Sequence, residues 1–132
     1  MLWRIESDRR ESSVPIYEQI VAQVIFGIAS GSLEVGALIP SVRDLAGRLT
    51  VHPNTVARAF QELEREGVVT ARRGRGMEVT PDAQRICQER RQEILRARIR
   101  DVLREAVSSS LSNDDIRRLV EDELTRVNGQ AK

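Results

Sequence analysis

The sequence predicts a mainly α fold with a small β-wing, and three observations predict it. Apolar residues recur at three- and four-residue spacing over several stretches long enough to be helices. Two short β-prone runs near residues 68 and 78 flank an arginine-glycine tip. Aromatics make up only 3% of the 132 residues, against 40% hydrophobic and 31% charged, a balance that suits an aliphatic helical core. It does not suit a β-sandwich or an enzyme with a large cleft.

The same numbers exclude several classes of function. Net charge is +1, so there is no global basic field, and any nucleic-acid site must come from local clustering. Cys87 is the single cysteine, which rules out an intramolecular disulfide framework and a Cys-based zinc cluster. No apolar stretch approaches the roughly 20 residues needed to span a bilayer. The first ten residues lack the apolar core of a signal peptide. A soluble, cytoplasmic protein with no membrane partner is expected.

Taken in order, the alternation of Trp3, Arg4 and Ile5 suggests a short strand, followed by a polar linker from Ser7 to Ser13. Pro15 suits a helix start. Ile16, Ile20, Val24 and Ile28, with Tyr17 and Val21, form an apolar stripe running to about Ala29, and Gly31 fits the stop. Gly36 and Pro40 mark a turn. Ser41 is a good N-cap, with Asp44 in the place of a capping-box acid, and the helix that follows turns Val42, Leu45, Ala46 and Leu49 inward.

A turn from Thr50 to Pro53 leads into a second, longer helix. Pro53 suits a first helical turn, with Asn54 and Thr55 at the entry. Val56, Ala59, Phe60 and Leu63 point to the core, while His52, Asn54, Thr55, Arg58, Gln61 and Arg65 lie on the opposite face. Gly67 ends the helix as a C-cap glycine. Val68-Val69 and Met77-Glu78-Val79 are the two strands of a hairpin around Arg72, Arg73, Gly74, Arg75 and Gly76. Its glycines permit positive φ.

This order of elements has a definite chemistry. In a helix-turn-helix, the first helix crosses the DNA backbone and the start of the second meets base edges. Arginine can address guanine bidentately and asparagine adenine, which makes His52, Pro53, Asn54, Thr55 and Arg58 candidate readers. The arginine-glycine tip can approach phosphates or enter the minor groove. Each signal alone is weak; together, in this order, they are strong.

Residues 40–79 resemble the winged-helix DNA-binding domain of GntR-family bacterial transcription regulators. The matching positions are Pro40-Ser41, Arg43, Leu45-Ala46, Leu49, Val51, Thr55-Val56, Arg58-Ala59, Leu63, Glu66-Gly67 and Arg73-Gly74-Arg75-Gly76. The run Pro15-Ile16-Tyr17-Glu18-Gln19-Ile20 and the turn His52-Pro53-Asn54-Thr55-Val56 are similar to the YtrA subfamily. By position, the resemblance implies DNA contacts, to phosphate or base edges, at Arg43, Thr55, Arg58, Arg73 and Gly74. Pro53 and Ala57 depart from the basic residues that many members carry there, so readout by Arg58, Asn54 and His52 differs in detail.

Residues 81–132 decide the kind of regulator. Ile94, Leu95, Ile99, Val102, Leu103 and Ala106 continue one apolar helical stripe. Ser108-Ser109-Ser110 breaks that helix, and Ser112 or Asn113 can cap a second with Ile116, Leu119, Val120 and Leu124 facing inward. Two such helices cannot bury their stripes alone and must pack on each other and a partner chain. About fifty residues leave little room for a small-molecule cavity of roughly 300 Å³ or more. A dimerisation tail is expected, and the existence of an effector stays open.

The expected division is a winged helix-turn-helix over 1–80 and a helical dimerisation tail over 81–132. The expected function is a homodimeric bacterial regulator, a repressor, that binds an inverted-repeat operator in double-stranded DNA. The alternative is a winged-helix protein-interaction module without DNA binding, which has no need of an Arg-Gly tip or a polar Asn-Thr helix entry. No nucleophile-base pair, metal cluster or phosphate loop is present in the sequence, so no enzyme, metal or cofactor is expected. Lone His52 is read as facing DNA or solvent, and Cys87 as a packing residue.

Overall fold

The structure, a computed structural model, describes Trp3 and residues 14–130. Trp3 is half-buried; Arg4, Ile5 and the linker from Ser7 to Ser13, where a strand and a polar segment are expected, lie outside the described residues. The elements run α1 (Ile16–Ser30), β1 (Leu38–Ile39), α2 (Val42–Leu49), α3 (Pro53–Arg65), β2 (Val69–Arg72), β3 (Gly76–Val79), α4 (Ala83–Ser108) and α5 (Asn113–Gln130). The chain divides into two compact units, Met1–Glu93 and Ile94–Lys132.

Local chemistry sets the helix ends of the first unit. Pro15 precedes α1, and Gly31 closes it at φ 89°, a left-handed backbone that glycine adopts without steric cost. Ser41 caps α2 by accepting the Asp44 N–H at 3.1 Å. At the end of α3 the Gly67 N–H bonds the Glu64 carbonyl and the Val68 N–H reaches back to Leu63. That is a Schellman closure, with Leu63 and Val68 supplying its apolar contact; both are fully buried.

The sheet has three antiparallel strands in the order β1-β3-β2. Val69 pairs with Val79 and Arg72 with Gly76 in the hairpin, while Leu38 pairs with Glu78 on the other side of β3. β1 is an addition to the sequence expectation of a simple turn between Gly36 and Pro40. Two residues carry no periodicity, and the strand exists because the far edge of β3 needs a hydrogen-bonding partner.

The core lies where α1 and α2 pack on α3 and α3 meets the sheet. It is aliphatic apart from Phe60: Ile20, Val24, Ile25 and Ile28 from α1, Leu45 and Ala46 from α2, and Val56, Ala59, Phe60 and Leu63 from α3. Ile39, Val68, Val69 and Val79 come from the sheet region. Each large side chain so buried contributes about 1.5–3 kcal/mol. Val42 and Leu49, expected inside, are only half-buried. The unit extends beyond residue 80 because Ala83 and Cys87 on α4 are fully buried, and Arg90 pairs with Glu66 at the end of α3.

In the second unit, Ser109 and Ser110 end α4, and Ser112 caps α5 through the Asp115 N–H at 3.1 Å. Asp115 returns a bond to the Ser112 N–H, a reciprocal capping box. Arg117 pairs with Asp114 and Arg126 with Glu123 one turn apart. Ile116 is buried, whereas Leu95, Ile99, Val102, Leu103, Leu119, Val120 and Leu124 are 37–64% exposed. Ile94 and Ala106 are half-buried. An apolar stripe this open on a single chain has no cover among the described residues.

Candidate nucleic-acid interface

The candidate reading surface is built at the joint between α2 and α3. Thr50 closes α2 in the left-handed region at φ 55°, which turns the chain sharply, and the Val51 N–H bonds the Ala46 carbonyl. His52 then caps α3: its Nδ1 accepts the Asn54 N–H at 3.0 Å, and Pro53 occupies the first helical position. Sequence reasoning placed His52 on the polar face without this role, since histidine is not among the usual capping residues. Arg43, His52, Pro53, Asn54 and Arg58 are exposed and Thr55 is half-buried. Asn54, Thr55 and Arg58 share one side of α3, opposite buried Val56, Ala59 and Leu63.

The hairpin presents the second part. Its turn consists of Arg73, Gly74 and Arg75, closed by the Arg75 N–H on the Arg72 carbonyl at 2.9 Å. Gly74 at φ 76° and Gly76 at φ 100° supply the left-handed geometry. Arg72 belongs to β2 rather than to the turn and pairs with Glu78 across the hairpin. A groove of about 370 Å³ lies between the helices and the hairpin, lined by Val42, Ala57, Phe60, Gln61, Ala71 and Met77 among others.

Carboxylates within the fold neutralise some of the arginines near this surface and not others. Arg65 pairs with Glu62, Arg72 with Glu78, and Arg90 with both Glu66 and Glu93. Among the described residues, Arg43, Arg58, Arg73 and Arg75 have no carboxylate partner, which leaves these cations available to an anionic ligand. Arg58 instead stacks on Tyr17 of α1, its guanidinium carbon 3.8 Å from the ring centroid. The sequence places Tyr17 in the apolar stripe and in the Pro15–Ile20 run, neither of which shows this contact.

Cys87 is buried within the first unit, where burial, with the Glu66 charge adding to it, pushes its thiol up to about 11. A thiol held neutral in this way packs as a small apolar group and is a poor nucleophile near neutral pH. No helix among the described residues is long and apolar enough to cross a membrane.

Two helices set at a tight turn, with a small sheet whose hairpin carries a basic tip, define a winged helix-turn-helix protein, a DNA-binding class. The model of the family described as bacterial regulatory proteins, gntR family, matches residues 16–79. The HTH-type transcriptional repressor YtrA of Bacillus subtilis is 32% identical over 128 residues, 97% of this chain and 98% of that protein. A GntR-family transcriptional regulator from Listeria monocytogenes superposes with TM-score 0.70 at 32% identity, covering 84% of this chain and 96% of that one. YtrA from Sulfolobus acidocaldarius, a GntR-family transcription factor, is 31% identical with TM-score 0.54 over 94% of this chain and 99% of its own. The chain belongs to the GntR family and is a DNA-binding transcription regulator of the YtrA type.

Proposed function

We propose that the protein is a homodimeric, cytoplasmic repressor that binds an inverted-repeat operator. Each subunit sets residues 53–66 in a major groove and the Arg73-Gly74-Arg75-Gly76 tip, with Arg72 behind it, at the neighbouring minor groove or backbone. The functional division is residues 1–80 for DNA binding and 81–132 for pairing. The observation that carries this reading is Arg58, exposed and without a carboxylate partner among the described residues, on the same face as Asn54 and Thr55.

Roles follow from position. Arg43, on the first turn of α2, anchors a phosphate; Arg58, Asn54 and Thr55 read bases; His52 and Pro53 set the angle at which α3 begins. The open apolar side chains of Leu95, Ile99, Val102, Leu119, Val120 and Leu124, recurring at helical spacing, support pairing with a second copy that would cover them. Two-fold pairing of reading helices requires half-sites in inverted repeat, roughly one helical turn or a related distance apart. DNA binding needs no added ligand in this scheme.

Titration on operator and random duplexes separates the roles. Arg58→Ala costs about 1–3 kcal/mol on the operator while changing random DNA little, and Arg43→Ala weakens both alike. Parallel losses for Arg58→Ala would remove it from base readout. Salt-insensitive binding would favour a protein-interaction module instead.

A further inference from the structure

Arg58 is not presented by α3 alone. Its guanidinium carbon sits 3.8 Å from the centroid of the Tyr17 ring, on the first turn of α1. That distance sets the cation over the ring face, inside cation–π range. That geometry matters because all five N–H donors of arginine lie in the guanidinium plane. A ring held against one side of the guanidinium restrains the cation, and the N–H donors turned away from the ring stay available to a guanine O6/N7 pair. The Tyr17 hydroxyl is directed elsewhere, donating to Glu18 Oε1 at 3.1 Å. The base of the pair is firm, since α1 packs along α3 and Ile20, Val24, Val56 and Ala59 are buried.

We infer that Tyr17 is a positioning residue for base readout. It orders Arg58 before DNA arrives, so sequence discrimination depends on a ring outside the reading helix. An exposed arginine on a flexible stem otherwise has to be immobilised at the moment of binding, and that ordering cost falls on the specific complex. The inference rests on Arg58 reading a base.

The test uses the 132-residue protein and an operator obtained by selection from a random duplex pool. Affinities for that operator and for random duplex are measured for the wild type, Tyr17→Phe, Tyr17→Leu, Arg58→Ala and the Tyr17→Leu/Arg58→Ala double variant. Tyr17→Phe keeps the ring and should keep the operator-to-random ratio. Tyr17→Leu should lower that ratio about 2- to 5-fold, leave random binding in place, and have no further effect once Arg58 is alanine. A loss shared equally by operator and random DNA overturns the inference, as does a loss that persists in the Arg58→Ala background or equal losses in Tyr17→Phe and Tyr17→Leu. Should Tyr17→Leu fail to fold, Tyr17→Trp carries the test. The larger π-face should hold or raise the ratio, and a drop counts against the inference. If Arg58→Ala itself leaves the ratio unchanged, the base-reading role of Arg58 falls first and the inference falls with it.

Discussion

The imidazole of His52 occupies the place where serine, threonine or asparagine usually caps a helix. Accepting the Asn54 N–H through Nδ1 requires the ring proton to sit on Nε2. The cap satisfies one of the orphan donors at the start of α3 and holds Pro53 and Asn54 at the entry. His52→Ala is therefore expected to lower stability by about 1 kcal/mol in urea denaturation, while His52→Asn restores most of it. Equal losses in the two variants would assign His52 no capping role. Ser41 and Gly67 were legible in the sequence because each closure lies within a few residues and uses a habitual residue type. The His52 cap and the Tyr17–Arg58 stack were not: one uses an unusual capping residue, the other joins different helices.

At the scale of elements, the hairpin carries two cations that have no carboxylate partner among the described residues. Cross-strand pairing holds it from Val69–Val79 to Arg72–Gly76, and β1 braces the far side of β3. The Arg72–Glu78 pair removes one arginine from the tip, leaving Arg73 and Arg75 without carboxylate partners among the described residues. With both replaced by alanine, the slope of log affinity against log salt is expected to shrink by about 1 per lost phosphate contact, on operator and random DNA alike. An unchanged slope would place the wing away from DNA. The helices and the hairpin were readable from periodicity and turn residues. β1 was hidden because its two residues are defined only by their neighbour strand.

At the scale of the molecule, one reading helix and one wing would span only a short stretch of duplex, and in the proposed scheme specificity for a longer site needs a second copy. The tail stripes offer the surface for it: Leu119, Val120 and Leu124 on α5, with Leu95, Ile99 and Val102 on α4, are open to solvent in the single chain. Those stripes were plain in the sequence, since their spacing is helical; the expected second copy is a proposal, because periodicity records an apolar face and not its partner. Leu119→Asp with Leu124→Asp is expected to give a folded monomer by sedimentation whose operator affinity falls about 100-fold or more, through loss of the second contact. A monomeric variant that held the operator as tightly as the wild type would refute two-fold binding.

The most direct measurement is selection of bound duplexes from a random pool by the purified wild-type protein, without added ligand, followed by sequencing of the enriched DNA. The expected result is an inverted repeat with two symmetry-related positions of strong base preference, separated by about one helical turn or a related distance. Enrichment of a single unrepeated site, or no sequence enrichment at all, would contradict two-fold reading by paired α3 helices.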